Sequence, residues 1–218
     1  MHFLRMIRIG KFINNKNEFK LRRVYLMDEL INKLKTFCKS DFQYVIDNDT
    51  VRIFDISGAF YQYNIRECSL EYSERGNISV IGSWNDRRIG DYYFASQIKS
   101  ALGKGINYGC CDEFEEAKSF EVLNRLIKNK FDESLYSIGT IEDKKISIVN
   151  ENSLYRIVYL YKNSEYEIES SHDKDFIFGR FLYEIEAYEY YKKNIADYSK
   201  VFDIDFTEDE ICSLLGYK

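Results

Sequence analysis

The chain has no proline, although average usage of about 5% would give roughly eleven in 218 residues. Alongside many Lys, Asn, Ile and Tyr, this is a compositional bias and carries no mechanism. Histidine is almost as scarce. His2 and His172 are the only two, so the five cysteines (Cys38, Cys68, Cys110, Cys111, Cys212) have no zinc-site spacing to join. Scattered and odd in number, they read as structural thiols of a reducing compartment. No apolar run reaches the roughly 20 residues of a spanning helix, and the first residues lack a signal-peptide core. The expectation is a soluble, cytoplasmic protein with no membrane partner. Ser170, Ser171, His172 and Asp173 are adjacent in sequence, whereas a catalytic triad needs groups that converge in space. They read as the polar cap of the helix that follows. The glycine cluster Gly103, Gly105, Gly109 follows a helical pattern, with Gly105 directly after Lys104. A phosphate cradle needs glycines between strand and helix, so this is a helix stop and a linker. No catalytic residue, metal site or cofactor is assigned.

Aromatic residues are plentiful, with 19 Tyr and 16 Phe. An apolar body with a polar tip suits tyrosine to half-buried sheet faces and to recognition surfaces alike. The net charge of −5 hides an asymmetry: residues 1–40 carry +7 and the remainder −12. An acidic body disfavours a phosphate backbone as partner and suits a basic protein surface, or else simply keeps the protein soluble.

The stretch Phe60 to Leu102 organises the chain. Tyr61, Tyr63, Ile65, then Cys68, Leu70, Tyr72, then Ile78, Val80, Gly82, Trp84 alternate as half-buried strands do. After Trp84 the period changes, and Phe94, Ile98 and Leu102 recur at helical spacing behind an Asn85 or Asp86 cap. Upstream, Met27 to Cys38 reads as a helix, followed by strands Phe42–Asp47 and Val51–Ile56. Downstream the plan recurs: a helix from about Glu113 to Asn129, strands Tyr136–Ile141, Ile146–Val149, Tyr155–Tyr161 and Tyr166–Ile168, and a helix from about Lys174 to Asn194. A short closing helix, Glu208–Leu215, starts at a Thr207 cap with Glu210 at the capping-box position. The offsets Leu30 to Leu123, Tyr61 to Tyr155 and Gly90 to Gly179 are 93, 94 and 89 residues. The predicted fold is therefore α+β, with two similar helix–antiparallel meander–helix units from an internal duplication. The first covers 27–103 and the second 110–195. Residues 1–26 form a basic hairpin or extension, and 196–218 a tail with a short helix.

Three places are candidates for contact. Glu74 and Arg75, with Gly76 supplying the positive φ of a hairpin turn, read either as exposed turn residues or, with the lone Trp84 beside them, as a binding hot spot. Asp112, Glu113, Glu115 and Glu116 read either as a docking patch for a basic surface or as a solvated helix start. Asp203, Asp205, Glu208, Asp209 and Glu210 have the same two readings.

The combination Tyr61-x-x-Asn64-Ile65-Arg66, Leu70-Glu71-Tyr72-Ser73-Glu74-Arg75-Gly76, Trp84 and the helix Gly90 to Gly103 resembles immunity proteins of bacterial polymorphic-toxin and contact-dependent inhibition systems. The likeness is to a duplicated α+β subgroup related to antitoxins of secreted NAD-glycohydrolase toxins. It covers Tyr61–Gly103 and, more loosely, Leu154–Asn194. The resemblance implies a non-enzymatic protein that binds a cognate toxin, basic to match this chain's charge, and occludes its active site. The motif carries over only to Glu74, Arg75 and Gly76. The alternative is a regulatory or adaptor protein whose basic N-terminal arm touches nucleic acid.

Overall fold

The computed structural model describes residues 27–55, 57–106 and 117–217, and the chain divides into two compact units between Lys104 and Gly105. The expected arm 1–26 lies outside the described residues. The fold is α+β, with one sheet in each unit.

In the first unit, helix α1 covers residues 27–38. Strands β1 (Gln43–Asp47), β2 (Thr50–Phe54), β3 (Phe60–Asn64), β4 (Ser69–Glu74) and β5 (Asn77–Ser83) follow, then helix α2 (Arg87–Lys99). The strands form an antiparallel meander in chain order. Period-two alternation places Val51, Ile53, Tyr63 and Leu70 on one face, where they are buried. The stripe Ile31, Leu34 and Phe37 of α1 and Phe94, Ala95 and Ile98 of α2 are buried in the same unit. Each such aliphatic or phenyl side chain contributes about 1.5–3 kcal/mol when fully buried. Asp86 is the cap of α2, accepting from the Arg88 N–H at 2.8 Å. A single π-type turn, Ser100–Lys104, ends the helix, and Gly103 sits in it at φ 70°. The predicted helix stop is therefore where the glycines begin.

Close approach of α2 to the sheet depends on Gly90. A Cβ there would lie 2.8 Å from the Tyr63 hydroxyl and 3.3 Å from Cys68 Cβ. The Tyr63 hydroxyl donates to Asp91 Oδ1 at 2.8 Å, and Arg87 Nε reaches the other carboxylate oxygen at 3.4 Å. Asp91, its side chain 15% exposed, is pushed above its usual value by burial, against the opposing pull of these two partners. Between the ordinary value of 3.8 and the raised folded one, the native state keeps a proton that the unfolded chain has released. Stability therefore falls as pH rises through the window just above 3.8. Asp91→Asn retains an acceptor for Tyr63 and removes this dependence. The difference between variant and parent in urea melts across pH 3 to 7 should grow in favour of the variant and then level off.

In the second unit, helix α3 (Phe120–Lys128) precedes β6 (Tyr136–Ile138), β7 (Ile146–Glu151), β8 (Leu154–Tyr161) and β9 (Ser164–Ser171). Helices α4 (Lys174–Phe202) and α5 (Glu208–Leu214) follow. The core joins Leu123 and Ile127 of α3 to Ile146, Ile148, Ile157 and Tyr159 of the sheet and to Phe178, Phe181, Ile185 and Tyr188 of α4. Cys212 and Tyr217 pack into it, and the Tyr217 ring stacks on Tyr159 with centroids 4.2 Å apart. The C-terminal residues are thus part of this unit's core and not a separate tail. Both halves of the predicted capping box form: the Thr207 hydroxyl accepts from the Glu210 N–H, and the Glu210 carboxylate accepts from the Thr207 N–H.

Several boundaries differ from the sequence expectation. Helix α3 starts at Phe120, where the Ser119 side chain caps it by accepting from the Val122 N–H, and residues 117–119 before it are not helical; the expected start near Glu113 lies outside the described residues. Helix α4 continues past Asn194 to Phe202, since Ile195, Tyr198 and Phe202 keep a buried stripe going until Asp203 takes a left-handed φ of 58°. Strand β6 ends at Ile138, where Gly139 turns at φ 85°, and it pairs with β7 in parallel. Three residues span only about 10 Å, so the seven-residue return 139–145 is long enough for a parallel connection.

The two units share the order helix, sheet, helix, but among the described residues their strands do not correspond one for one. One sheet has five antiparallel strands, and the other has four with a parallel first pair. Placing Tyr61 on Tyr155 leaves β4 and β5 before one helix and only β9 before the other. Alternating tyrosines recur in any half-buried antiparallel sheet, which is why the offsets agree without such a repeat.

Candidate partner-binding surface

Glu74 and Asn77 close the β4–β5 hairpin, and Arg75 and Gly76 between them have φ of 50° and 82°. Two positive φ values make the tight turn whose twist matches the strands, and Gly76 takes its place at no steric cost. Arg75 stands out into solvent with its side chain 89% exposed, 3.9 Å from Glu74 Oε1. The Tyr72 hydroxyl donates to Glu74 at 3.4 Å. Glu74, Arg75 and Gly76 thus occupy the predicted turn.

Trp84 is elsewhere. It follows the far end of β5, a strand length from the turn, which at about 3.3 Å per residue is over 20 Å. Its ring stacks on Tyr93 at 5.0 Å and covers Gly82, whose Cβ would lie 2.9 Å from it. The grouping of Trp84 with Glu74 and Arg75 as one hot spot is therefore corrected. A half-buried indole sealing α2 against the sheet replaces it. Asp112, Glu113, Glu115 and Glu116 lie outside the described residues.

The surface that alternation alone left unread is the outer face of the first sheet. Register lines up Val45, Arg52, Gln62, Glu71 and Val80 in one row across all five strands. Arg52 Nε donates to Gln62 Oε1 at 2.6 Å, and Gln62 Nε2 donates to Glu71 Oε2 at 3.0 Å. In the next row Phe54 and Phe60 pack at 5.6 Å, with the Arg52 guanidinium 5.8 Å above the Phe60 ring. A polar chain in which both ends of the Gln62 amide are bonded, flanked by aromatic and β-branched side chains, has the composition of a protein contact surface. The sequence does hold one signal for it. Arg52, Phe54, Phe60, Gln62 and Glu71 share the parity opposite to that of Val51, Ile53, Tyr63 and Leu70, whereas Ile78 and Val80, which alternation grouped with Gly82 and Trp84 as a half-buried face, are exposed.

The second sheet presents a different outer face. Arg156 is held by Glu167 at 2.7 Å, Glu151 at 3.3 Å and Glu165 at 3.4 Å. Arg156 and the Ser170 hydroxyl together hold the Glu167 carboxyl below its usual value. Three carboxylates around one guanidinium leave this patch acidic. Close by, Ser137 bonds Thr140 at 3.0 Å and Glu142 at 2.9 Å, and Ser147 accepts from the Glu142 N–H. These bonds tie the 139–145 return to the sheet.

Charge follows the division into units. Residues 105–218 hold 14 Lys/Arg and 24 Asp/Glu, a net of −10, while residues 1–104 carry +5. In the closing segment Asp209 accepts from Tyr161 at 2.7 Å and Lys162 at 2.6 Å, and Glu208 pairs with Lys144 at 2.7 Å. Those acidic residues pin α5 to the strands.

His172 Nδ1 lies 3.0 Å from the Ser153 carbonyl, and Asp173 caps α4 by accepting from Asp175 and Phe176 N–H. These are the contacts of a helix cap. Cys38, Cys68 and Cys212 are buried thiols outside any disulfide, with burial pushing the Cys38 thiol up to about 12. Among the described residues no helix is long and apolar enough to cross a membrane. Comparison of the chain with family models, curated proteins and solved structures returns no match.

Proposed function

We propose that this chain is an immunity protein that acts in the cytoplasm, binding a cognate basic toxin domain and occluding its active site without catalysis of its own. The observation that carries the reading is the acidic face of the second unit, where Glu151, Glu165 and Glu167 crowd one Arg156 in a half of the chain with a net charge of −10. Clefts that bind nucleotides or nucleic acid are lined by positive charge, and a stiff sheet with the opposite sign is steered onto them and fills them. The exposed Glu74-Arg75 turn and the Arg52–Gln62–Glu71 row supply a second, less charged contact area.

Co-expression with the toxin encoded beside it should restore growth and yield a complex that co-purifies. Growth that is equally poor with and without this protein would sink the reading. Glu151→Lys with Glu165→Lys leaves the 2.7 Å Arg156–Glu167 pair in place, so the fold should hold. By surface plasmon resonance this double variant should lose about tenfold or more in association rate, and the parent's rate should fall with salt.

A further inference from the structure

Among the described residues four strands lie at sheet edges, and three of them are charged or too short for strand addition. β1 bears Asp47, β6 is three residues long, and β9 carries Glu165, Glu167 and Glu169. β5 is neither charged nor short; its one irregularity is a bulge at Ile81, opposite Leu70 and Glu71, and Ile78 to Val80 keep regular pairing with Ser73 to Glu71. Its seven residues, Asn-Ile-Ser-Val-Ile-Gly-Ser, include no ionisable side chain. Ile78, Val80 and Ile81 on it are 65%, 71% and 43% exposed, and the first two are the most exposed large hydrophobic side chains among the described residues. Because β5 is the last strand of its sheet, every second backbone N–H and C=O points away from β4.

The missing charge selects the occupant. A charged strand from another protein would meet no counter-charge along β5. A second β5 meets a strand that is equally uncharged, without the like-charge repulsion that β9 against β9 would bring. We propose that β5 pairs antiparallel with β5 of a second copy, across a two-fold axis through Ser79, joining two five-stranded sheets into one of ten. In this register Ser79 faces its own copy. Ile78 faces Val80 of the second copy, and Val80 faces its Ile78, so both β-branched residues are covered twice over on the outer face. The charged turns Glu74-Arg75 fall at opposite ends of the paired segment, each beside Ser83 and Trp84 of the other copy, and no charge meets its like. The contact is isologous, as a two-fold dimer requires, and it uses up both open edges.

An interface of one strand pair is small, so the dimer is a reversible one in the micromolar range. Sedimentation velocity on the full chain, from about 1 to about 100 µM, should show a 26.0 kDa species giving way to one of twice that mass. Val80→Lys should lower the association constant at least tenfold while leaving the thermal melt of the monomer in place, because Val80 makes little contact within its own fold. Ser79→Cys should form an inter-chain disulfide with oxidised glutathione as oxidant, faster than the unsubstituted chain under the same conditions. A chain monomeric throughout the range, association undiminished in Val80→Lys, or no cross-link at Ser79→Cys would each overturn the proposal.

Discussion

Phe181→Ala is expected to destabilise the second unit by about 3–5 kcal/mol. Phe181 is fully buried in the first third of α4, in the cluster that joins Leu123, Ile127, Ile148, Ile157 and Tyr159. Truncation removes a phenyl ring from a site walled by two helices and a sheet, so the neighbours cannot collapse into the space without breaking strand register. The loss therefore includes both the transfer free energy and the cavity left behind. Phe176 lies on the same helix but is 50% exposed, and Phe176→Ala should change stability by no more than about 0.5 kcal/mol. Amide exchange is the suitable measurement, because two units need not unfold in one step. In Phe181→Ala the amides of β7 and β8 should exchange at least a hundredfold faster. Equal effects from the two variants would show that this cluster does not carry the unit's stability.

Gly90→Ala should cost about 2 kcal/mol, the reverse of what helix propensity alone gives. Alanine in a helix interior gains about 1 kcal/mol over glycine. Here its Cβ would sit 2.8 Å from the Tyr63 hydroxyl and 3.3 Å from Cys68 Cβ, so α2 must lift or Tyr63 must swing away. Overpacking costs about 1–3 kcal/mol, and losing the Tyr63–Asp91 bond leaves a mostly buried carboxylate short of a donor, at about 1–3 kcal/mol more. The clash is with the hydroxyl oxygen, which yields a sharper test. In Tyr63→Phe the oxygen is gone, and adding Gly90→Ala should then cost markedly less than it does in the parent. Denaturant midpoints of the four proteins close the cycle. Strict additivity would mean that the glycine is not there for this contact.

Most helices and strands were legible because they depend on short-range periodicity. Met27 to Cys38, the run from Tyr61 through Gly82, and the Thr207 and Glu210 cap each carry their signal within a dozen residues. What failed was either local chemistry that competes with a pattern or information from elsewhere in the chain. Ser119 caps α3 later than the amphipathic stripe suggested, and Gly139 cuts β6 short. Trp84 looked like a companion of Glu74 and Arg75 because they are ten and nine residues away, yet an extended strand turns that separation into distance. Helical or turn spacing would have brought them together.

The residue pattern alone determined an α+β protein, an acidic body beyond residue 40, the Arg75-Gly76 turn, and the buried parity of β3 and β4, since those follow from composition, φ preferences and the period of two; the same alternation put Ile78 and Val80 on a half-buried face, and both are exposed because β5 ends its sheet. Only the tertiary structure decided that Arg52, Gln62 and Glu71 join hands across three strands, that three glutamates surround Arg156, and that β5 ends a sheet with its apolar side chains in water. Register and strand order are set by contacts between distant segments, and no local periodicity encodes them.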